Sequence, residues 1–211
     1  MATTAYATVD EMIHAMDKST TTTYNATERA VMARCLDSAS RAVDGVCRRS
    51  FWQTDAGTVQ YYTPSNFDRL RVRDLVSVSA LATDEDGDLA YELSWSTSEY
   101  LLYPIDAATA DAVARPYTEI RASMATGSAK YAFPVGREKS VKVTGVWGWP
   151  SVPDVIRDVT ILEALRSYEQ FQAPSGVITN STAGTFTITP AIHPTSAARL
   201  KPYIRMAWGR A

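Results

Sequence analysis

The chain has 211 residues, 45% of them hydrophobic and 21% charged, with 21 basic against 23 acidic residues and a formal net charge of −2. This is the composition of a packed globular protein of one or two domains, long enough to build a core without metals or disulfides. The charge balance excludes wrapping of nucleic acid by bulk charge, and no apolar run approaches the roughly 20 residues of a membrane helix.

Met1 to Asp10 has neither a basic start nor an apolar signal core, so the sequence reads as neither exported nor membrane-bound. A first short helix is expected over Val9 to Asp17, with Val9, Met12, Ile13 and Met16 on one face. The threonine-rich stretch Ser19 to Thr23 breaks that pattern, because β-branched and hydroxyl residues disfavour helix. Asn25 then reads as an N-cap, and Glu28 three residues later completes a capping box. Met32, Cys35, Leu36, Ala39, Val43, Val46 and Cys47 recur at three- and four-residue steps, which predicts a long amphipathic helix over 25–49. Cys35 and Cys47 lie twelve residues apart on it, a separation of about 18 Å, so they read as reduced, buried thiols.

From Phe51 the character changes to short β-rich runs between turn signals. Strands are expected at 58–62, 69–72, 76–83, 90–94, 100–103, 117–122 and 139–145, with Asp84-Glu85-Asp86-Gly87-Asp88 as a hairpin loop. After Pro150 a second long helix is predicted over 152–173, started by Pro153 and Asp154, with Val155, Val159, Leu162, Leu165 and Tyr168 as its apolar stripe. The matching stripes predict that the two long helices pack together, burying Leu36 and Leu162. The Thr- and Gly-rich run 177–189 reads as a hairpin or an extended arm, and Pro194-Thr195-Ser196 opens a last short helix to about Lys201. Pro202 stops or kinks it. The fold class is therefore α+β, a helical bundle from both chain ends with an inserted antiparallel β subdomain. Its divisions are 1–52 for the first helices, 53–149 for the β insert, 150–173 for the long bundle helix and 174–211 for arm, short helix and tail.

Little in this chain carries chemistry. His14 and His193 are its two histidines, neither has a second ligand at metal spacing, and Cys-x-x-Cys and His-Glu-x-x-His are absent. Asp84, Asp86 and Asp88 alternate as calcium-loop ligands do, but Gly87 falls at position four and Trp95 at position twelve, so a solvated hairpin tip is the better account. Arg69, Arg71 and Arg73 share one strand face and make a small positive stripe. Trp147-Gly148-Trp149-Pro150 fits a packing junction, and Trp52 at the other helix-to-strand crossing should lie close to it. A carbohydrate- or ligand-binding module on the β insert, stacking on Trp95, Trp147 and Trp149, is the alternative function; a hydrolase built on Glu92 and Glu99 is a third. No catalytic residue, cofactor or metal is expected.

The tail is the strongest candidate for binding. Tyr203, Ile204, Arg205, Met206, Trp208 and Arg210 are the residue types enriched at protein interfaces. The protein's own helices or another subunit can receive them, and the second is favoured.

Several stretches in order resemble the head–tail connector proteins of tailed bacteriophages, also called head-to-tail adaptor or head-completion proteins. These are Tyr6-Ala7-Thr8-Val9-Asp10-Glu11, Leu36 to Asp44 with Cys47-Arg48-Arg49-Ser50-Phe51, Tyr61-Tyr62-Thr63-Pro64, and Leu81 to Asp88. Val143 to Pro150 followed by Val152-Pro153-Asp154-Val155-Ile156 is the most specific. The resemblance implies a non-enzymatic structural protein of the virion neck, made in the host cytoplasm. It implies a ring, a dodecamer, beneath the portal protein, with the next neck or tail connector on its far side. DNA would pass through its channel without sequence-specific binding, and the tail residues named above would engage the portal. The β insert departs from the shorter, nearly all-helical members of that family.

Overall fold

The computed structural model describes residues 5–16, 23–108, 114–123, 132–172, 177–180, 184–187 and 192–205. The fold is mixed α and β, with four helices, a six-stranded antiparallel sheet and a separate two-stranded hairpin among the described residues. It divides into two compact units, one from Met1–Phe51 with Val152–Ala211 and the other from Trp52–Ser151.

In the helical unit, α1 spans Val9–Met16. Its first turn is closed by Thr8, whose hydroxyl accepts from the Glu11 N–H at 3.2 Å while the Glu11 carboxylate accepts from the Thr8 N–H at 2.7 Å. Helix α2, Ala26–Cys47, starts with the same device at Asn25 and Glu28, as the sequence predicts. It stops where Arg48 turns left-handed at φ 54°. Met32, Cys35, Leu36, Ala39, Val43 and Cys47 are buried along it, and both cysteines are free thiols.

Helix α3, Asp154–Gln172, packs against α2. Met12, Met32, Cys35, Leu36, Ala39, Ala164 and Tyr168 share one core. The expected stripe on α3 is rotated, however. Ile156, Val159, Thr160, Ala164 and Tyr168 are buried, whereas Leu162 points outward at 39% exposure. Apolar side chains are distributed round this helix, and its packing face uses the small Ala164 and Thr160. Thr160 makes itself compatible with burial by donating its hydroxyl to the Ile156 carbonyl at 2.8 Å. Further on, β7 (Val177–Asn180) and β8 (Gly184–Thr187) pair antiparallel, so the Thr- and Gly-rich run forms a hairpin. Helix α4, Pro194–Leu200, is capped by His193 and passes into a 3-10 turn, Lys201–Tyr203, at Pro202.

In the β unit, β1 (Thr58–Tyr62), β2 (Arg69–Thr83), β3 (Leu93–Trp95), β4 (Tyr100–Tyr103), β5 (Tyr117–Ala122) and β6 (Val141–Trp147) form the large sheet. Its order is β1-β6-β2-β5-β4, with β3 paired to the far end of β2. The two strands expected at 69–72 and 76–83 are one strand of 15 residues. Register shifts between Arg71 and Leu75 and again after Leu75 absorb the break in alternation there. The strand expected at 90–94 begins only at Leu93, because the Asp86 and Asp88 side chains accept from the N–H groups of Asp88 and Ala90 and hold the loop open. The strand expected at 139–145 lies at 141–147; Lys139 adopts a left-handed φ of 54° and cannot continue it. One sheet face buries Leu70, Val72, Leu75, Leu81, Ile120, Val141, Val143 and Trp147, with Trp95 and Phe133 stacked at 4.9 Å.

Both ends of the β unit meet. Thr54 N–H donates to the Trp147 carbonyl at 2.9 Å, and Gln53 Nε2 donates to the Pro150 carbonyl at 2.6 Å. Gly148, at φ 111°, passes so close to Trp52 that a Cβ there would lie 2.0 Å from the Trp52 carbonyl oxygen. The adjacency expected of the Trp52 and Trp147–Trp149 junctions holds.

Candidate functional site

The sequence offers five constellations, and the structure treats them differently. The tail begins anchored to the helical unit. Tyr203 meets Phe51 edge-to-face at 6.0 Å, the Arg205 N–H donates to the Cys47 carbonyl at 2.8 Å, and Ile204 between them is 37% exposed. The Arg205 bond takes up one of the carbonyls left over at the end of α2. Met206, Trp208 and Arg210 lie outside the described residues.

The three tryptophans of the binding-module alternative are core residues. Trp95, Trp147 and Trp149 are buried; Trp95 Nε1 donates to Thr83 Oγ1 at 3.1 Å and Trp147 Nε1 to the Thr58 carbonyl at 2.9 Å. The Trp95 and Trp147 rings belong to the core of the sheet unit, and with Trp149 also buried the three do not form an open stacking platform. The hydrolase pair is likewise split: Glu92 and Glu99 lie beyond opposite ends of β3, and Glu99 accepts from the Ser96 N–H at 2.6 Å.

The acidic loop draws four carboxylates together. Oxygens of Asp84, Asp86, Asp88 and Glu92 lie within 4.8 Å of one another. Asp84 is buried and structural: Oδ1 accepts from the Gly87 N–H at 2.7 Å and Oδ2 from the Leu89 N–H at 2.9 Å. Those hydrogen bonds, first the one from Gly87, hold its carboxyl below the ordinary carboxylate range. Asp86, Asp88 and Glu92 are exposed.

The arginine stripe lies at the opposite end of β2. Arg69, Arg71 and Arg73 alternate with buried Leu70, Val72 and Asp74. The register sets Arg69 beside Arg121 and Arg71 beside Glu119, with Leu101 and Tyr103 next to these on β4. Arg121 pairs with Glu119, its guanidinium 4.0 Å from the Tyr103 ring centre, and Arg69 Nε lies 3.7 Å from Glu119. Leu101 is half exposed beside them. The face therefore carries four guanidinium groups, from Arg69, Arg71, Arg73 and Arg121, and the carboxylates of Asp68 and Glu119. The sequence identifies the first three arginines; Arg121 joins them only through strand pairing.

Two features escape the sequence. A groove of about 460 Å³ runs between α2 and the end of α3, lined by Arg34, Cys35, Ser38, Ser167, Gln170 and Phe171. Tyr6 reaches α2 as a clamp: its N–H donates to Ser40 Oγ at 3.1 Å, its phenol donates to Asp44, and the Phe51 N–H donates to the phenol oxygen at 2.8 Å. Burial above all pushes the Tyr6 phenol well above its ordinary range and raises the Asp44 carboxyl as well. Among the described residues no helix is long and apolar enough to cross a membrane.

No protein-family model matches the chain, and no curated protein matches it. Among solved structures, it is similar to a chain in the neck of an empty GTA particle computed with C6 symmetry. The two are 17% identical, with a TM-score of 0.55, over 96% of this chain and 92% of the other. A chain from the virion of a native gene transfer agent (GTA) particle is also similar, at 16% identity and a TM-score of 0.47, over 96% of this chain and 90% of that one. Across nearly its whole length, the protein shares its α+β fold with a chain of that particle neck.

Proposed function

We propose that this protein is a structural component of a phage-like particle, a head-to-tail adaptor of the neck. It assembles as a ring, a dodecamer, beneath the portal protein, extends the DNA channel and receives the next neck or tail connector. The observation that carries this reading is the fold likeness, over 96% of the chain, to a chain of the GTA neck computed with C6 symmetry. Twelve subunits are compatible with sixfold symmetry. The ordered stretches from Tyr6 to Glu11 and from Val143 to Ile156 support the same reading. The role is assembly without catalysis, metal or cofactor, in the virion neck after synthesis in the host cytoplasm. DNA passes without sequence-specific contact, which suits a chain of net charge −2, since a strongly basic channel would hold phosphate.

In this role Tyr203, Ile204, Arg205, Met206, Trp208 and Arg210 engage the portal. Burying one large apolar side chain contributes about 1.5–3 kcal/mol, and repetition around a ring multiplies a modest anchor through effective concentration. Tyr203 and Arg205 also hold the helical unit together, so the cut has to be placed with care. Removing 206–211 should leave the melting temperature unchanged and yield heads that fail to retain the connector; removing 203–211 should lower the melting temperature as well. The test is the mass of the purified chain alone and with a portal protein, together with particle attachment of the 206–211 deletion. Normal attachment of that deletion refutes the tail assignment, and absence of any complex with portal or particle refutes the adaptor.

A further inference from the structure

We infer that the first residues of the tail, Tyr203 to Arg205, form a latch coupled through Phe51 to the Tyr6 clamp, so that drawing the tail out of the subunit also loosens the segment before α1. The inference rests on the tail reading above and gives it a moving part. A partner that takes Tyr203 and the Arg205 main chain must first take them from the subunit, where both are already engaged. Tyr203 leans edge-to-face on Phe51 with ring centres 6.0 Å apart, and the Arg205 N–H donates to the Cys47 carbonyl at 2.8 Å. Ile204 between them is 37% exposed and is the member of the three that most faces water.

Phe51 is the shared element. Its buried ring meets Tyr6 at 5.7 Å as well as Tyr203, at interplanar angles of 87° and 71°. Its N–H donates to the Tyr6 phenol at 2.8 Å, and the phenol donates in turn to Asp44 on α2. The Tyr6 N–H donates to Ser40 Oγ, and the Ser40 hydroxyl donates to the Leu36 carbonyl at 2.7 Å. A continuous set of contacts thus runs from the tail, through one aromatic ring, to the N-terminal segment and the interior of α2. Close-packed groups switch between discrete arrangements and do not yield smoothly. When Tyr203 leaves, the Phe51 ring loses that flank and shifts, and the N–H that fixes the Tyr6 phenol shifts with it. A ring contact and a main-chain bond at a helix end open more readily than a core does. A ligand moves such an equilibrium by its difference in affinity for the two states, so a partner that prefers the released stem opens the latch. Opening adds three residues of reach, about 10 Å at roughly 3.4 Å each.

The experiment uses the full chain and two reporters at the latch. One is hydrogen exchange of the Phe51 amide. The other, in Cys35→Ala, is labelling of Cys47, which is then the sole thiol. Burial pushes the Cys47 thiol up to about 11, so the closed latch labels slowly. Tyr203→Ala should speed both reporters by on the order of tenfold, and should speed Phe51 exchange clearly more than exchange of Ala164 in the core of the same unit. Tyr6→Phe should speed them too, and the two substitutions together should act by less than the product of their separate effects. Added portal protein should speed both reporters in a chain that keeps Tyr203 and Tyr6. Phe51 protection unchanged by Tyr203→Ala overturns the coupling, and so does an equal rise at Ala164, which would be ordinary loss of packing. Effects that multiply make the two contacts independent and overturn it as well. If Cys35→Ala does not fold, Phe51 exchange in the natural chain decides. A portal protein that binds while both reporters stay slow overturns release of the latch. One that does not bind counts against the adaptor, and the coupling is then judged by the variants of the isolated chain.

Discussion

The phenol of Tyr6 donates its proton to Asp44, 38 residues later, and accepts the N–H of Phe51 in the same step. One side chain thereby ties the segment before α1 to the last turns of α2 and to the residues that follow them. Tyr6→Phe keeps the ring and its edge-to-face contact with Phe51 at 5.7 Å, but leaves the Asp44 carboxylate and the Phe51 N–H without that partner. Losing such buried bonds costs about 1–3 kcal/mol, to be read from denaturant unfolding. A variant as stable as wild type would show the clamp to be incidental.

Asp44 and Asp84 should respond to acid in opposite senses. Burial raises the Asp44 carboxyl above its ordinary 3.8, with the Tyr6 hydrogen bond and Arg41 opposing. The folded protein thus holds that proton more tightly than the unfolded chain does. Its contribution is fully present below 3.8 and lost as pH rises through the folded value. Asp84 is lowered, so its contribution is present above the ordinary value and lost as pH falls through the folded one. Melting wild type, Asp44→Asn and Asp84→Asn from about pH 3 to 7 should show the first difference moving in favour of wild type toward acid, and the second shrinking. Parallel curves would contradict both assignments.

Leu36 and Leu162 separate a buried from an exposed leucine on facing helices. Leu36→Ala should cost about 2–5 kcal/mol, the range for a fully buried leucine. Leu162→Ala should cost clearly less, about 1 kcal/mol or below, because at 39% exposure the side chain is only partly covered and leaves no closed cavity. Equal effects in urea unfolding would place Leu162 in the core after all.

Gly148→Ala should destabilise the β unit by more than the about 1–3 kcal/mol of a strained backbone position. A methyl group there meets both φ 111° and the Trp52 carbonyl oxygen at 2.0 Å. Tryptophan fluorescence should report the change through Trp147 and Trp149, which flank the site; an unaltered melting curve and spectrum would show that the junction yields.

Calcium should leave the melting temperature unchanged, and EDTA likewise. Both Asp84 oxygens already accept backbone N–H groups, so a cation would have to compete with the bonds that form the loop. A rise of several degrees with calcium would overturn this.

What the sequence made legible was whatever depends on local pattern. The Asn25–Glu28 box, the α2 stripe, and strands β1, β4 and β5 appear where spacing and turn residues put them. Misreadings arose where tertiary contacts decide. On α3 the strongest hydrophobes mark one face, but close approach to α2 favours Ala164 and Thr160, so Leu162 is turned outward. The break between 72 and 76 reads as a strand end because alternation fails there, whereas bulges carry β2 through. The bond between Tyr6 and Asp44 joins residues 38 apart, and no local pattern announces it. Of the candidate surfaces, the arginine stripe was visible as three alternate residues, and Arg121 required the strand register. The packing reading of Trp147 and Trp149 comes from the Gly148 and Pro150 beside them, whereas Trp95 stands in a short strand with no such neighbours, and its burial depends on stacking with Phe133.

The meeting of Gln53 and Thr54 with Trp147 and Pro150 has a consequence for how the chain folds. Trp52–Ser151 separates the segments that supply α2 and α3, and closing a flexible loop that long is entropically slow and costly. Once the β unit has formed, its two ends emerge side by side, so α2 and α3 are joined by the equivalent of a connection of a few residues. By the logarithmic dependence of closure entropy on length, that shortening removes about 3 kcal/mol from the ordering of the helical pair. The insert thus acts as a pre-formed hinge pin, and replacing it by a short turn is a substitution that the helical unit's own topology permits.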